Sequence, residues 1–162
     1  LKIVKPIVNR SELQERTDIW NVMIEVFSDV EQTNKEELFL KGQRLTIYFN
    51  ELESGGHESL MNWHQNEWEE AGADSYLKSL STSLEEIGAH QYAEIINQYG
   101  LDIWKAFQDL EDNPSEESES AFYSIVERAD EQYHSLNSQL EGLLEAFYLN
   151  TYEEIMDIKE DA

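Results

Sequence analysis

Two segments pair an imidazole with a carboxylate at helical spacing: His64-x-x-Glu67 and Glu131-x-x-His134. Side chains three residues apart share one face of a helix. In di-iron carboxylate bundles, two Glu-x-x-His motifs are joined by two further inward-facing glutamates. Here one copy is reversed, and 26 Glu with 4 His make such pairings expected by chance. A metal-dependent helical enzyme built on His64, Glu67, Glu131 and His134 is thus a rival reading, not the leading one, and no metal or cofactor is expected. His57 and His64 lie seven apart on one face but read as helix-end and interface residues. His90 follows Gly88-Ala89 and has no obvious partner beyond Glu86.

Other chemistry fares no better. There is no Gly-x-Ser-x-Gly elbow, no phosphate-binding glycine loop and no calcium loop of EF-hand pattern. The absence of cysteine excludes thiol nucleophiles, Cys-zinc sites and disulfides. Gly55-Gly56 lacks the Lys and Ser/Thr of a P-loop, but two adjacent glycines ahead of an apolar-periodic run suit a tight helix-to-helix corner. With acids everywhere, no carboxylate pair stands out as a glycosidase site. The chain does not read as an enzyme.

The elements that would position these residues are helices. Two prolines and seven glycines in 162 residues are few, and 40% of the residues are hydrophobic, enough for a packed core. Leu13, Trp20, Ile24 and Phe27 fall on one helical face, with Ser11 and Gln14 placed as a capping box. Asn34 and Glu37 repeat that cap and open a helix with Leu38, Leu45, Tyr48, Phe49 and Leu52 as its stripe. After the Gly55-Gly56 corner, Leu60, Trp63, His64 and Trp68 predict a short third helix that buries Trp63 and closes near Gly72. Asp74 caps a fourth, which ends at Gly88. Tyr92, Ile96, Tyr99, Ile103, Ala106 and Leu110 hold the next stripe despite Gly100. The serine-rich acidic turn EDNPSEESES (111–120), around Pro114, is the one clear break. Two further helices follow, on Phe122, Ile125, Val126 and Ala129, then on Leu136, Leu140, Leu143, Phe147 and Ile155. The fold class is all-α: one domain over 1–162, a bundle of six to seven helices, with Leu1 to Val8 as a short extended arm and no strand pair. No apolar run approaches the roughly 20 residues of a membrane span and no signal peptide is evident, so a cytoplasmic protein is expected.

Charge is the outlying property. The net charge is −24, and it is unevenly spread: residues 1–50 hold 8 acids and 7 bases, residues 51–162 hold 27 acids and 4 bases. A charge run is usually a solvated face, and Glu116 and Glu117 sit where a helix N-terminus favours anions. That accounts for a few acids, not for an excess whose members repel one another. Halophilic adaptation would favour Asp and smaller apolar residues, whereas this chain has 26 Glu to 9 Asp and is rich in Trp, Tyr and Ile. The remaining account is a strongly basic partner. Carboxylates at i, i+3 and i+4 lie about 5–6 Å apart on a helix, close to the spacing of phosphates along a strand, so acids in rows could occupy the phosphate-contacting groove of a DNA-binding protein. Direct binding of nucleic acid is excluded at this charge. The candidate partner-binding acids are Glu67, Glu69 and Glu70, then Asp109, Glu111, Asp112, Glu116, Glu117, Glu119, Glu127, Asp130 and Glu131, the last nine sharing their stretch with Arg128 alone.

QRLTIYFNELESGGHESLMNW (43–63), followed by LEEIGAHQYAEIINQ (84–98), resembles the bacterial DNA-mimic protein family, small acidic all-helical proteins long catalogued as a domain of unknown function. The resemblance rests on Gln43, Arg44, Tyr48, Gly55, Gly56, Trp63, Gly88, Ala89 and Ala93, in order and spacing. It sets a family-like core at about 36–110 and a helical extension at about 115–158. It implies a homodimer whose negative surface resembles DNA and keeps a helix-turn-helix transcription regulator off its operator. Gly55, Gly56 and Gly88 are then corner residues of the fold. The position after Gly-Gly, usually aromatic, is His57 here. No family carboxylate falls within the shared motif, so the acids named above come from composition alone. Among binding proteins the alternative is an immunity protein that neutralises a basic nuclease toxin.

Overall fold

The computed structural model describes residues 5–29 and 34–160, and for 64–71 the backbone only. It is an all-α bundle: α1 (Arg16–Ser28), α2 (Glu37–Ala71), α3 (Ala73–Glu86), α4 (His90–Asp112), α5 (Glu116–Ser135) and α6 (Gln139–Ile155). The third helix expected from the sequence is the second arm of α2, set off by a kink at Gly56, where φ is 70° and ψ −160°. Only glycine adopts that backbone readily.

The kink also resets the helical phase. Beyond it, His57, Leu60 and Met61 form the buried stripe, so Trp63 falls outside and is 51% exposed instead of buried. Two caps differ as well. Ser11 lies in a 3-10 turn, Arg10–Glu12, and α1 opens instead at Glu15, whose backbone N–H donates to the Asp18 carboxylate at 3.0 Å. Gly72, not Asp74, precedes α3. Asn34 Oδ1 accepts from the Glu36 N–H at 2.9 Å ahead of α2.

α3 ends as its Gly88 predicts. With φ at 85°, Gly88 lets the Ala89 N–H reach the Leu84 carbonyl at 2.8 Å while its own N–H reaches Glu85 at 3.0 Å, so two end carbonyls are satisfied. One strand pair forms against expectation: β1 (Ile7–Asn9) lies parallel to β2 (Asp157–Lys159), with Val8 opposite Ile158. Three residues on each side are too few for an alternating pattern to be legible.

Every helix contributes to one hydrophobic core. Phe27 meets Phe39 and Tyr148 at ring distances of 5.3 and 5.9 Å, and Trp20 meets Phe49 edge-on at 5.6 Å. Two glycines permit close contacts between helices within this core. A methyl group on Gly42 would lie 2.2 Å from Phe27 Cζ, and one on Gly100 would lie 3.1 Å from Leu77 Cδ2. This contact explains why α4 tolerates a mid-helix glycine costing about 1 kcal/mol against alanine.

Gly42→Ala should therefore overpack the α1–α2 contact and destabilise by about 1–3 kcal/mol, read as a lower urea midpoint; an unchanged midpoint would mean that Phe27 is free to move aside. A second expectation concerns alkaline pH. Burial pushes the hydroxyls of Tyr48, Tyr133 and Tyr148 well above the ordinary tyrosine value, aided at Tyr133 by its bond to Glu53. The unfolded chain ionises near pH 10 while the folded one does not, so stability falls as pH rises beyond about 10. In an ultraviolet titration these tyrosines should ionise only as the protein unfolds.

Candidate functional site

The acidic stretch is built on two helix ends. Only Asn113–Ser115 lie between α4 and α5, so most of the expected turn at 111–120 is helical. Serine chemistry makes the short link: Ser115 Oγ accepts from the Ser118 N–H at 3.0 Å, and Ser118 Oγ accepts from the Ser115 N–H at 2.9 Å while donating to the Asn113 carbonyl at 3.0 Å. This reciprocal cap satisfies donors that a helix start leaves open. Glu116, Glu117 and Glu119 fall in the first turn of α5, all exposed, where the dipole favours anions. Asp109, Glu111 and Asp112 crowd the last turn of α4, also exposed, where the dipole opposes them. The crowding there is not explained by the needs of the helix.

Along α5, Glu119, Tyr123, Glu127 and Glu131 recur every fourth residue, all exposed. Each step rises about 6 Å at 1.5 Å per residue. The one place in the row without an acid is Tyr123, and there the hydroxyl donates to Glu58 Oε1 of α2 at 3.0 Å. Glu58 thus supplies a carboxylate beside the gap. Sequence reading missed it because Glu58 lies past the corner, far from the acidic stretch, and no local pattern marks it. The bond to Glu58 also holds the Tyr123 hydroxyl above the ordinary tyrosine range, so it remains a donor.

Among the described residues no lysine or arginine, Lys105 of α4 and Arg128 of α5 included, forms an ion pair with a carboxylate of this ridge. Arg10 pairs with Glu160, Arg16 with Glu145, Lys41 with Glu86, Arg44 with Glu37 and Lys78 with Asp74. Arg128 turns its guanidinium to the carbonyl and hydroxyl of Ser124 at 3.4 Å.

Asp130 belongs elsewhere. Its Oδ1 accepts from the His57 backbone N–H at 2.9 Å and lies 2.7 Å from His57 Nδ1, and its side chain is 26% exposed. The same carboxylate fills the space beside Gly56, where a methyl group would lie 2.6 Å from Oδ2. His57 is fully buried, and its Nε2, like the Tyr48 hydroxyl, has no hydrogen-bond partner among the described residues. Beside a carboxylate, Nδ1 is the nitrogen that carries the proton. Asp130 is therefore a clasp that ties the α2 corner to α5, not a member of the solvent-facing row.

The side chains of His64, Glu67, Glu69 and Glu70 lie outside the described residues. Glu131 and His134 are exposed on α5, the His134 ring against Tyr133. Among the described residues no three His, Asp or Glu side chains are grouped to hold a metal ion. His90 faces Glu85, not Glu86, whose carboxylate is taken by Lys41. No helix of the described residues is long and apolar enough to cross a membrane. Comparison with protein-family models, with curated proteins and with solved structures returned no match.

Asp130→Ala should destabilise the fold by about 1–3 kcal/mol, because it leaves buried polar groups of His57 unpaired, whereas Glu127→Ala should change it by less than about 0.5 kcal/mol. Thermal or urea unfolding of the two variants separates clasp from row. Equal effects would mean that Asp130 is one more surface acid.

Proposed function

We propose that this protein is a DNA-mimic inhibitory binding protein that acts in the cytoplasm, without catalysis, by occupying the DNA-binding face of a basic protein such as a transcription regulator. The observation that carries the reading is the α4–α5 ridge: exposed carboxylates at regular helical steps, one gap flanked by Glu58, and no lysine or arginine paired with them among the described residues. Duplex DNA presents regularly spaced anions whose neutralisation by Lys and Arg dominates affinity. A rigid row of carboxylates offers those same cations a substitute. The resemblance of residues 43–63 and 84–98 to the DNA-mimic family points the same way. Association should be steered from a distance and weaken steeply with salt.

The test is capture of basic DNA-binding proteins from a lysate at low salt on the immobilised protein, followed by competition with duplex DNA and binding measurements on each purified candidate. The expected result is a partner displaced by DNA and weakened at least tenfold by the triple substitution Glu119→Gln, Glu127→Gln, Glu131→Gln. A control with the same charge change, Glu94→Gln, Glu141→Gln, Glu154→Gln, should weaken it much less. Equal losses in the two triple variants would reduce the ridge to bulk charge, and a partner that DNA does not displace would overturn mimicry.

A further inference from the structure

Tyr123 stands out within the ridge. Three large apolar side chains are notably exposed among the described residues, Ile7, Trp63 and Tyr123, and only Tyr123 lies on α5. Its ring is held at two points: the hydroxyl by Glu58 at 3.0 Å, and the body against Phe122 at a ring distance of 5.1 Å. The ring is 38% exposed, flanked one turn away on either side by Glu119 and Glu127. Among the described residues, the cation seated over an aromatic ring is Lys41, over Phe147; Tyr123 carries none.

We propose, building on the mimic reading, that Tyr123 is a platform for an arginine side chain of the partner, with Glu58, Glu119 and Glu127 around the guanidinium. A planar guanidinium stacks on an aromatic face and can bond carboxylates at its edge at the same time, whereas an ammonium is a compact, strongly hydrated point charge. Donation of the phenol hydroxyl to a carboxylate places extra electron density on the ring and so strengthens its hold on a cation. Carboxylate rows alone attract lysine and arginine for their charge; the fixed ring adds a preference between them. That preference selects partners whose DNA-contacting surface is rich in arginine, and it resists salt better than the rest of the ridge because stacking is less screened than separated charges.

Two peptides of equal charge, eight arginines and eight lysines, test this against the wild-type protein and Tyr123→Leu over a range of salt. The native protein should favour the arginine peptide, and Tyr123→Leu should shrink that preference by about two- to fivefold, the worth of an exposed cation–π contact, with the salt slope unchanged. Tyr123→Phe, which keeps the ring and loses the Glu58 bond, should fall between the two. It also serves as the readout should the leucine variant fold poorly. An arginine-to-lysine ratio that ignores residue 123 overturns the platform while leaving the charged ridge intact. Failure of both peptides to bind at low salt overturns the mimic reading and the platform with it.

Discussion

The Asp130 carboxylate sits where any side chain at position 56 would have to go, and accepts two bonds from the next residue, His57. α2 can turn at Gly56 because glycine tolerates φ of 70° and because α5 offers an acceptor to the backbone exposed there. The turn rotates Leu60 and Met61 into the core and swings Glu58 toward Tyr123. Together with the burial of Leu60 and Met61, the clasp fixes the angle of the second arm of α2 to α5 and brings the carboxylates of the two helices onto one surface. A part-buried contact between a histidine and an aspartate thus helps to set the geometry of an otherwise solvent-facing array.

The charge layout makes physical sense only as a division of labour. Four of the seven cations of the first fifty residues are used in pairs: Arg10, Arg16, Lys41 and Arg44 each hold a carboxylate of another segment or an earlier turn. Such surface pairs contribute little individually, but they commit these four cations to partners outside α4 and α5. The α4–α5 region, whose own cations are Lys105 and Arg128, keeps a large excess of mutually repelling acids. The compensating stability comes from an unusually aromatic core, in which Phe27, Phe39, Tyr48, Tyr92, Phe122 and Tyr148 are almost wholly buried. The molecule therefore keeps its surface charge and its cohesion on different residues.

Sequence periodicity located the helices well because apolar stripes at 3.6-residue spacing report burial directly. Gly88 and Gly56 were legible for the same reason: each ends or turns a run of such a stripe. Trp63 was misread because the kink changes the phase of the stripe, and that rotation depends on a ψ angle which no residue type encodes. The span 111–120 looked like a loop because Pro114 and three serines favour turns, yet Ser115 and Ser118 spend their hydroxyls on capping and let α5 begin at once. Composition could list acids but could not sort them. Asp130 and Glu131 are adjacent in sequence, and only the packing of α5 against the corner turns one inward and leaves the other in water. Glu58 was invisible because its partner is a tyrosine 65 positions away.

The small sheet joins the first and last described segments of the chain, and the entire helical bundle is the crossover between its two parallel strands. The chain enters β1 at Ile7 and leaves β2 at Lys159, at opposite ends of the ladder, with Arg10 and Glu160 joined beside the exit at 2.7 Å. A pull along the chain at these two points loads the ladder in shear, so that its hydrogen bonds share the force instead of parting one at a time. The weakest-looking element of the fold is thus placed as its mechanical clamp, and tension would reach the helices only after that clamp had slipped.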